Sequence, residues 1–519
     1  MPLSVLIWLP AAIALVAALL PRRLAGRVTL AGALGALALA IAYVISFDRG
    51  RGGLQFVTDH TWISELGIHY KLGLDGLNLF LVLLTALLFA AGMLATNLRE
   101  WDRPRLFYFQ LALAESGVLG AFAAQDLALF VGFFDLMLVP FYFLVGAWGG
   151  PDRVQATTKL VIYTLVGSLF MLAGAIATGV IAGQGGRPDF VLSHLAQIEL
   201  PKGSQDWIFL CFAAAFLVKM PLFPLHAWMP DGYRAMPLPV LAVFSAVLSK
   251  VAAYGFLRIV LPVLPDAAAR FQTLILLIAL ASILYGSVMA FTQTDARLIV
   301  GYSSVAQMGF ITLGIFSLRP EGAQGALLQM INHGLVVAPL FFIIGLLAAR
   351  AGGSEDVRDM GGIGFRAPVL ASLFLITALA TLAMPGSANF VGEFLILLGA
   401  FKAKLVIAVV AFAGVILASV YMLRAYIRTM HGPVGDRVES IEIAPVDAVV
   451  VAPLVAAIVA MAFYPQLPLA RSEAAVTGAV RTAQLIANPA RQPAAAGALG
   501  RESRPPPGGA EHGARGGRP

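Results

Sequence analysis

Residues Phe212 to Pro230 read F-A-A-A-F-L-V-K-M-P-L-F-P-L-H-A-W-M-P. Lys219 stands behind seven apolar residues and just ahead of Pro221 and Pro224. An ammonium near the middle of a membrane-length apolar run costs about 2.5–3.5 kcal/mol on insertion scales. The prolines remove backbone donors and break the helix just past the charge. Broken backbone at membrane depth survives only inside protein or beside a water-filled cavity. The stretch therefore predicts a helix interrupted at a buried, titratable charge, the usual design of a transporter site near the bilayer midplane.

Lysine is itself informative here. The chain has 35 basic residues, of which only 7 are lysine, yet the two deepest in apolar runs are Lys219 and Lys250. Arginine does not release its proton in a protein, whereas a buried lysine can. Snorkelling to the interface would need a position near a span end; each of these lies well inside its span.

At 519 residues, 59% hydrophobic and 12% charged, the chain is a polytopic membrane protein, since soluble chains carry about 25% charge. Its net charge of +7 is not a nucleic-acid signal, because the arginines sit in short loops and in the last residues. One cysteine, Cys211, excludes a disulfide framework and any cysteine-built zinc or iron–sulfur site within the chain. No phosphate-binding glycine motif is present. The apolar start lacks a basic leader and a small-residue cleavage site, so it reads as a retained first helix.

Apolar runs of about 20 residues, the length that spans a bilayer, predict an all-α protein of fourteen transmembrane helices. They lie near 2–20, 28–47, 75–98, 106–124, 126–147, 156–182, 205–230, 236–261, 270–291, 297–317, 323–349, 368–399, 405–430 and 444–465. Residues 52–71 form a polar loop with hairpin character, and 187–205 a second polar loop. Three spans fill 1–100, a first five-helix repeat 104–262, a second 270–432, and a last span 440–467. From Pro468 to Pro519 the Ala, Pro, Gly and Arg composition predicts a disordered tail.

The repeats share a pattern. The fourth span of each is broken at proline and carries an ionisable residue: Lys219 with Pro221 and Pro224, then Glu393 with Pro385 and Gly386 in A-M-P-G-S-A-N-F-V-G-E-F. Five helices is an odd number, so the second repeat enters from the opposite side and the repeats are inverted. Basic residues collect after odd-numbered spans (Arg22, Arg23, Arg27, Arg99, Arg103, Arg105, Arg153, Lys159, Arg350, Arg358 and Arg366). That places those loops in the cytoplasm and both termini outside.

Five ionisable residues fall deep in spans: Asp135, Lys219, Lys250, His333 and Glu393. All can exchange a proton once buried, and none has metal-site spacing. A proton relay suits the set better than a metal does. Glu115 is either a weaker member or a hydrogen-bonded helix contact. His226 either feeds a proton path or sits at the interface.

The segments L-M-L-V-P-F-Y-F-L, K-M-P-L-F-P-L-H-A-W-M-P-D, T-Q-T-D-A-R-L-I-V-G-Y-S-S-V-A-Q-M-G-F and M-P-G-S-A-N-F-V-G-E-F resemble the antiporter-like subunits of respiratory complex I, over about residues 70–430. The glutamate at 393 points to the M-subunit branch, because sister branches and Mrp antiporter subunits generally carry lysine there. The resemblance implies two inverted five-helix repeats, relay roles for Lys219, Lys250, His333 and Glu393, and a bacterial cytoplasmic membrane. It implies L-like and N-like subunits as partners alongside the lipid bilayer, with NADH, FMN, iron–sulfur clusters and quinone held by partner chains. An Mrp-type cation/proton antiporter subunit and a membrane-bound hydrogenase subunit share the fold and relay. One departure stands out: the family usually has glutamate where this chain has Asp135, which alters the reach of the pair with Lys219.

Overall fold

Apolar runs become helices, several of them opening on a proline (Pro104, Pro320, Pro368 and Pro445), while Pro10, Pro339 and Pro453 lie inside helices. The computed structural model describes residues 2–435, 437–439 and 441–488. Helices α1 (Leu3–Leu19) and α2 (Arg22–Ser46) lead into an antiparallel hairpin, β1 (Gln55–Ile63) and β2 (Ile68–Leu74), registered His60 to Tyr70. Its turn needs glycine at 67, which has φ +64° and leaves no room for a Cβ against the Pro188 carbonyl. The hairpin expected within 52–71 is thus present, running on to Leu74.

Then come α3 (Leu79–Asn97), α4 (Pro104–Ala123), α5 (Leu127–Leu136), α6 (Leu138–Trp148), α7 (Arg153–Ala182) and the short α8 (Leu192–Leu195). The predicted 126–147 span is divided at Met137 into α5 and α6. The predicted 205–230 span is α9 (Lys202–Lys219) and α10 (Met229–Ala235), separated by a non-helical segment. Next are α11 (Leu238–Gly255), a π-turn over Phe256–Val260, α12 (Leu261–Val263) and α13 (Pro265–Arg270). The second half runs α14 (Gln272–Thr292), α15 (Ala296–Phe316), α16 (Pro320–Arg350), α17 (Pro368–Thr381), α18 (Ala388–Ala403), α19 (Leu405–Met430), α20 (Pro445–Phe463) and α21 (Gln466–Ala487). The 368–399 span is likewise broken, between α17 and α18.

Among the described residues, 11 helices are long and apolar enough to cross a membrane. Burial sorts them. The apolar windows of α15, α16 and the helix from Leu238 to Val263 are buried throughout. Those of α2, α7, α19 and α20 are less than half buried, with Leu165, Val166, Leu169 and Phe170 exposed on the outer side of α7. Apolar side chains facing outward suit lipid, and the enclosed helices can carry polar groups at depth.

The disordered tail placed from Pro468 onward needs correction. Residues Gln466 to Ala487 form α21, which packs against α12, α13 and α16. Its buried stripe is Pro468, Ser472, Val476, Ala479, Val480 and Ala483, a helical spacing built from small residues. Gln324 on α16 donates to the Leu469 carbonyl at 2.9 Å and to Ser472 Oγ at 2.7 Å. The rest of that tail, 489–519, lies outside the described residues. Truncation after Pro465 is expected to lower the yield of assembled protein, while truncation after Asn488 leaves it near normal. Native gels of membranes from both strains check this; equal yields would contradict a docking role for α21.

Candidate functional site

The first polar centre is built by the break after α9. Pro221 has no N–H for the Leu217 carbonyl, so the Leu222 N–H takes it instead, at 3.1 Å. The Val218 carbonyl, freed in turn, accepts the Trp228 indole N–H at 2.9 Å. Ser282 Oγ on α14 accepts the Phe223 N–H at 3.0 Å. The broken backbone is thereby satisfied from within the protein, as membrane depth requires.

Lys219 is the last residue of α9, where the helix dipole favours a cation. Its ammonium is fully enclosed. It lies 3.4 Å from Asp135 Oδ1, donates to the Phe134 carbonyl at 3.3 Å, and stands 3.4 Å from the Phe134 ring centroid. Asp135 Oδ1 also accepts from Ser168 Oγ on α7 at 2.5 Å. Here the expectation of two deep charges fails in part. The Lys219 side chain is 0% exposed, but the Asp135 side chain is 42% exposed on the flank of the chain. The reason is position: Asp135 is next to last in α5, the shorter half of a divided helix, and covering it would take a group from outside.

Lys250 sits in the middle of α11, fully buried, and donates to the Ser245 carbonyl at 3.0 Å. His333 is on α16, which packs against α11. The adjoining Gly334 has room for no side chain against Leu84 and the Ala246 carbonyl. That contact sets the residue after His333 against Ala246, which is about one helical turn before Lys250 on α11. His333 Nδ1 has no hydrogen-bond partner.

The second polar centre surrounds the break before α18, at Pro385 and Gly386, where Gly386 takes φ +91°. Glu393 is buried in the second turn of α18. Gln307 Nε2 on α15 donates to Glu393 Oε1 at 2.7 Å, and Gln329 Nε2 on α16 approaches it at 3.4 Å. Asn332 Nδ2, beside His333, donates to the Ala388 carbonyl at 2.6 Å. Buried polar atoms without partners gather here: Gln329 Oε1, Asn332 Oδ1, Ser387 Oγ and both amide atoms of Asn389.

The structure therefore joins Asp135 to Lys219 and surrounds Glu393 with amides. Among the described residues, no direct hydrogen bond links Lys219 to Lys250, Lys250 to His333, or His333 to Glu393. Glu115 is buried on α4 with neither oxygen bonded, so the helix-contact reading finds no hydrogen bond. His226 is nearly enclosed, its ring 4.8 Å from Tyr285 and 5.8 Å from Phe223. The described residues hold no group of three or more metal-ligating side chains.

Sequence reading missed Gln307, Gln329, Asn332 and Asn389, which stand among other polar residues such as Ser303, Ser304, Gln324 and Ser387 and so raise no pattern of their own. It also missed a buried pair near the hairpin. Arg258 donates to Asp75 at 2.5 Å and to the Tyr254 hydroxyl at 2.8 Å. Arg258 stands close to a span end, where a basic residue is ordinary, and its partner is 183 residues away.

Comparison with known proteins places these features in a family. The family described as NADH:quinone oxidoreductase/Mrp antiporter, TM, matches residues 124–418. NADH-quinone oxidoreductase subunit M of Rhodobacter capsulatus is 35% identical over 485 residues, covering 90% of this chain and 93% of its own. A chain of respiratory complex I from Thermus thermophilus with bound NADH superposes with a TM-score of 0.85 at 32% identity, covering 93% of this chain and 99% of that one. A chain of the Mrp complex from a Dietzia species reaches a TM-score of 0.79 at 22% identity, covering 93% and 98%, a likeness of fold. On the strength of the matched span and of the long alignment with the Rhodobacter protein, this chain belongs to the NADH-quinone oxidoreductase subunit M family of antiporter-like membrane proteins.

Proposed function

We propose that this chain carries protons across the membrane as the subunit M component of an NADH–quinone oxidoreductase. Asp135 and Lys219 act as the switch, and Lys250, His333 and Glu393 as the path. The observation that carries this reading is Lys219: a fully enclosed ammonium at a helix break, with its counter-charge on the chain's flank. At about 4 Å and an effective dielectric near 20, such a pair is worth about 4 kcal/mol. Drawing the Asp135 carboxylate outward removes that hold, and the proton leaves toward Lys250. His333 and the unpartnered amides near Asn332 and Asn389 are polar enough to order bridging water, which supports onward transfer to Glu393. The helix breaks give Lys219 and Glu393 room to move.

Fourteen spans are part of the proposal. The shorter apolar helix α1 and the broken α9–α10 and α17–α18 units join the 11 longer helices to make that number. The correspondence of the two breaks, each with one ionisable residue, supports two inverted repeats. Basic residues in the odd-numbered loops support an orientation with both termini outside, and the likeness to a bacterial subunit M supports a bacterial cytoplasmic membrane. L-like and N-like subunits would flank the chain, and the electron carriers would belong to partner chains. The Mrp-type reading shares the fold, but a carboxylate at 393 and the 35% identity to a subunit M favour the oxidoreductase.

Glu393→Gln tests the path. It keeps the shape and removes the exchangeable proton, so pumping in sealed vesicles should fall close to background with the complex assembled. Normal proton yield per electron pair from that variant would overturn the relay.

A further inference from the structure

We propose that Gln307 and Gln329 are positioning residues for Glu393, paired amides whose hydrogen-bond direction reverses when the carboxyl gains or loses a proton. The inference rests on the reading of Glu393 as a relay residue and names the groups that set its proton exchange.

Three helices bring the groups together: Gln307 from α15, Gln329 from α16 and Glu393 from α18. Gln329 Nε2 donates to Gln307 Oε1 at 2.7 Å, and Gln307 Nε2 donates to Glu393 Oε1 at 2.7 Å. Gln329 Nε2 adds a longer contact to the same oxygen at 3.4 Å. Both amide contacts to the carboxyl come from N–H donors, which suits a carboxylate and gives charge-assisted bonds. A protonated carboxyl has an O–H to place and needs an acceptor. Gln307 can provide one by turning its terminal amide, which brings Oε1 to Glu393 and Nε2 to Gln329. Gln329 answers with the same turn, presenting its Oε1 to that Nε2.

Two observations show that the second direction is available. Gln329 Oε1 is buried and has no partner in the first direction, so the turn strands no acceptor that was already used. Gly392 faces this amide: a Cβ there would come within 2.4 Å of Gln329 Oε1. A glycine one residue before Glu393 therefore leaves the amide the space it occupies. The chain of amides keeps its two short bonds in either direction, so Glu393 has matched partners both charged and neutral.

Few other groups compete for that role. Of the helices packed against α18, α16 brings His333 and α15 brings Tyr302 as interior titratable groups. From α19 comes Tyr421, whose hydroxyl is bonded to Ser303 at 2.8 Å. No titratable residue occurs on α17, and α20 has only Asp447 in its first turn.

The test uses the assembled complex in sealed vesicles. Gln307→Met keeps length and approximate volume but removes the amide. The carboxylate then loses its donor, so the acidic limb of the pumping–pH profile should move toward higher pH by about one unit. The infrared carbonyl band of protonated Glu393, identified by its loss in Glu393→Gln, should move to the frequency of a weakly bonded carboxyl. A wild-type profile with an unshifted band overturns the proposal. Glu393→Gln keeps the two failures apart. Normal pumping by that variant sinks the relay, whereas a pumping defect there beside an unaltered Gln307→Met sinks only the amide pair. If native gels show that Gln307→Met does not assemble, Gln329→Met is measured in the same way. A smaller shift in the same direction is expected, and no shift overturns the proposal.

Discussion

Lys219→Ala is expected to abolish proton pumping and to lower coupled quinone reductase turnover by roughly a hundredfold, the low end of what a positioned proton carrier contributes. The substitution removes the charge enclosed at the α9 break. It also removes a donor to the Phe134 carbonyl and the cation above the Phe134 ring. Folding should not suffer in proportion. The Trp228 indole and the Leu222 N–H hold the broken backbone without help from the lysine side chain. Asp135 keeps its bond from Ser168 and remains 42% exposed, so it is not left as a buried bare charge. Native gels should show full assembly beside the loss of pumping in vesicles. Pumping at the wild-type rate would remove Lys219 from the path.

The second large effect is at Asp135, where the family resemblance implies a glutamate. Asp135→Asn keeps the shape and removes the charge. Lys219 is then an enclosed cation facing only a carbonyl, an amide and a ring. Removing one partner of a buried pair costs about 3–5 kcal/mol. Asp135 is only partly buried, which moderates that figure. The switch is nevertheless gone, and pumping should be severely impaired. Asp135→Glu should behave differently. An extra methylene in a packed interior costs about 1–3 kcal/mol, but this side chain lies open on the flank of the chain. The longer carboxylate can bow outward and still reach Lys219, so function should survive. Proton yields for both variants decide the matter: an active asparagine variant would refute the ion-pair switch, and a dead glutamate variant would show that the site is closed by a neighbour.

Legibility of the site followed charge. Lys219, Lys250 and Glu393 could be read because a formal charge inside an apolar run is costly and therefore conspicuous. The helix breaks could be read because Pro221, Pro224 and Pro385 lack an N–H. Gln307 and Gln329 could not, since a buried amide differs little in pattern from a surface one. The exposure of Asp135 was hidden for another reason: the outer side of a helix depends on which neighbours cover it. Helix α21 was lost in the average composition of a tail whose later residues are rich in Pro, Gly and Arg. Its own stripe of Ala, Val and Ser has helical spacing, but Arg471, Glu473 and Arg481 on the same helix dilute it. The Asp75–Arg258 pair required knowing that the start of α3 meets the π-turn after α11, which sequence spacing does not reveal.

Proton transfer through this chain depends most on release from Lys219, and Lys219→Arg tests that step alone. Arginine preserves the charge beside Asp135 and the cation over Phe134, but it stays protonated in proteins. The measurement is protons moved per electron pair in sealed vesicles containing the fully assembled complex. A yield near that of Lys219→Ala is predicted; a wild-type yield from the arginine variant would contradict the claim that the proton passes through residue 219.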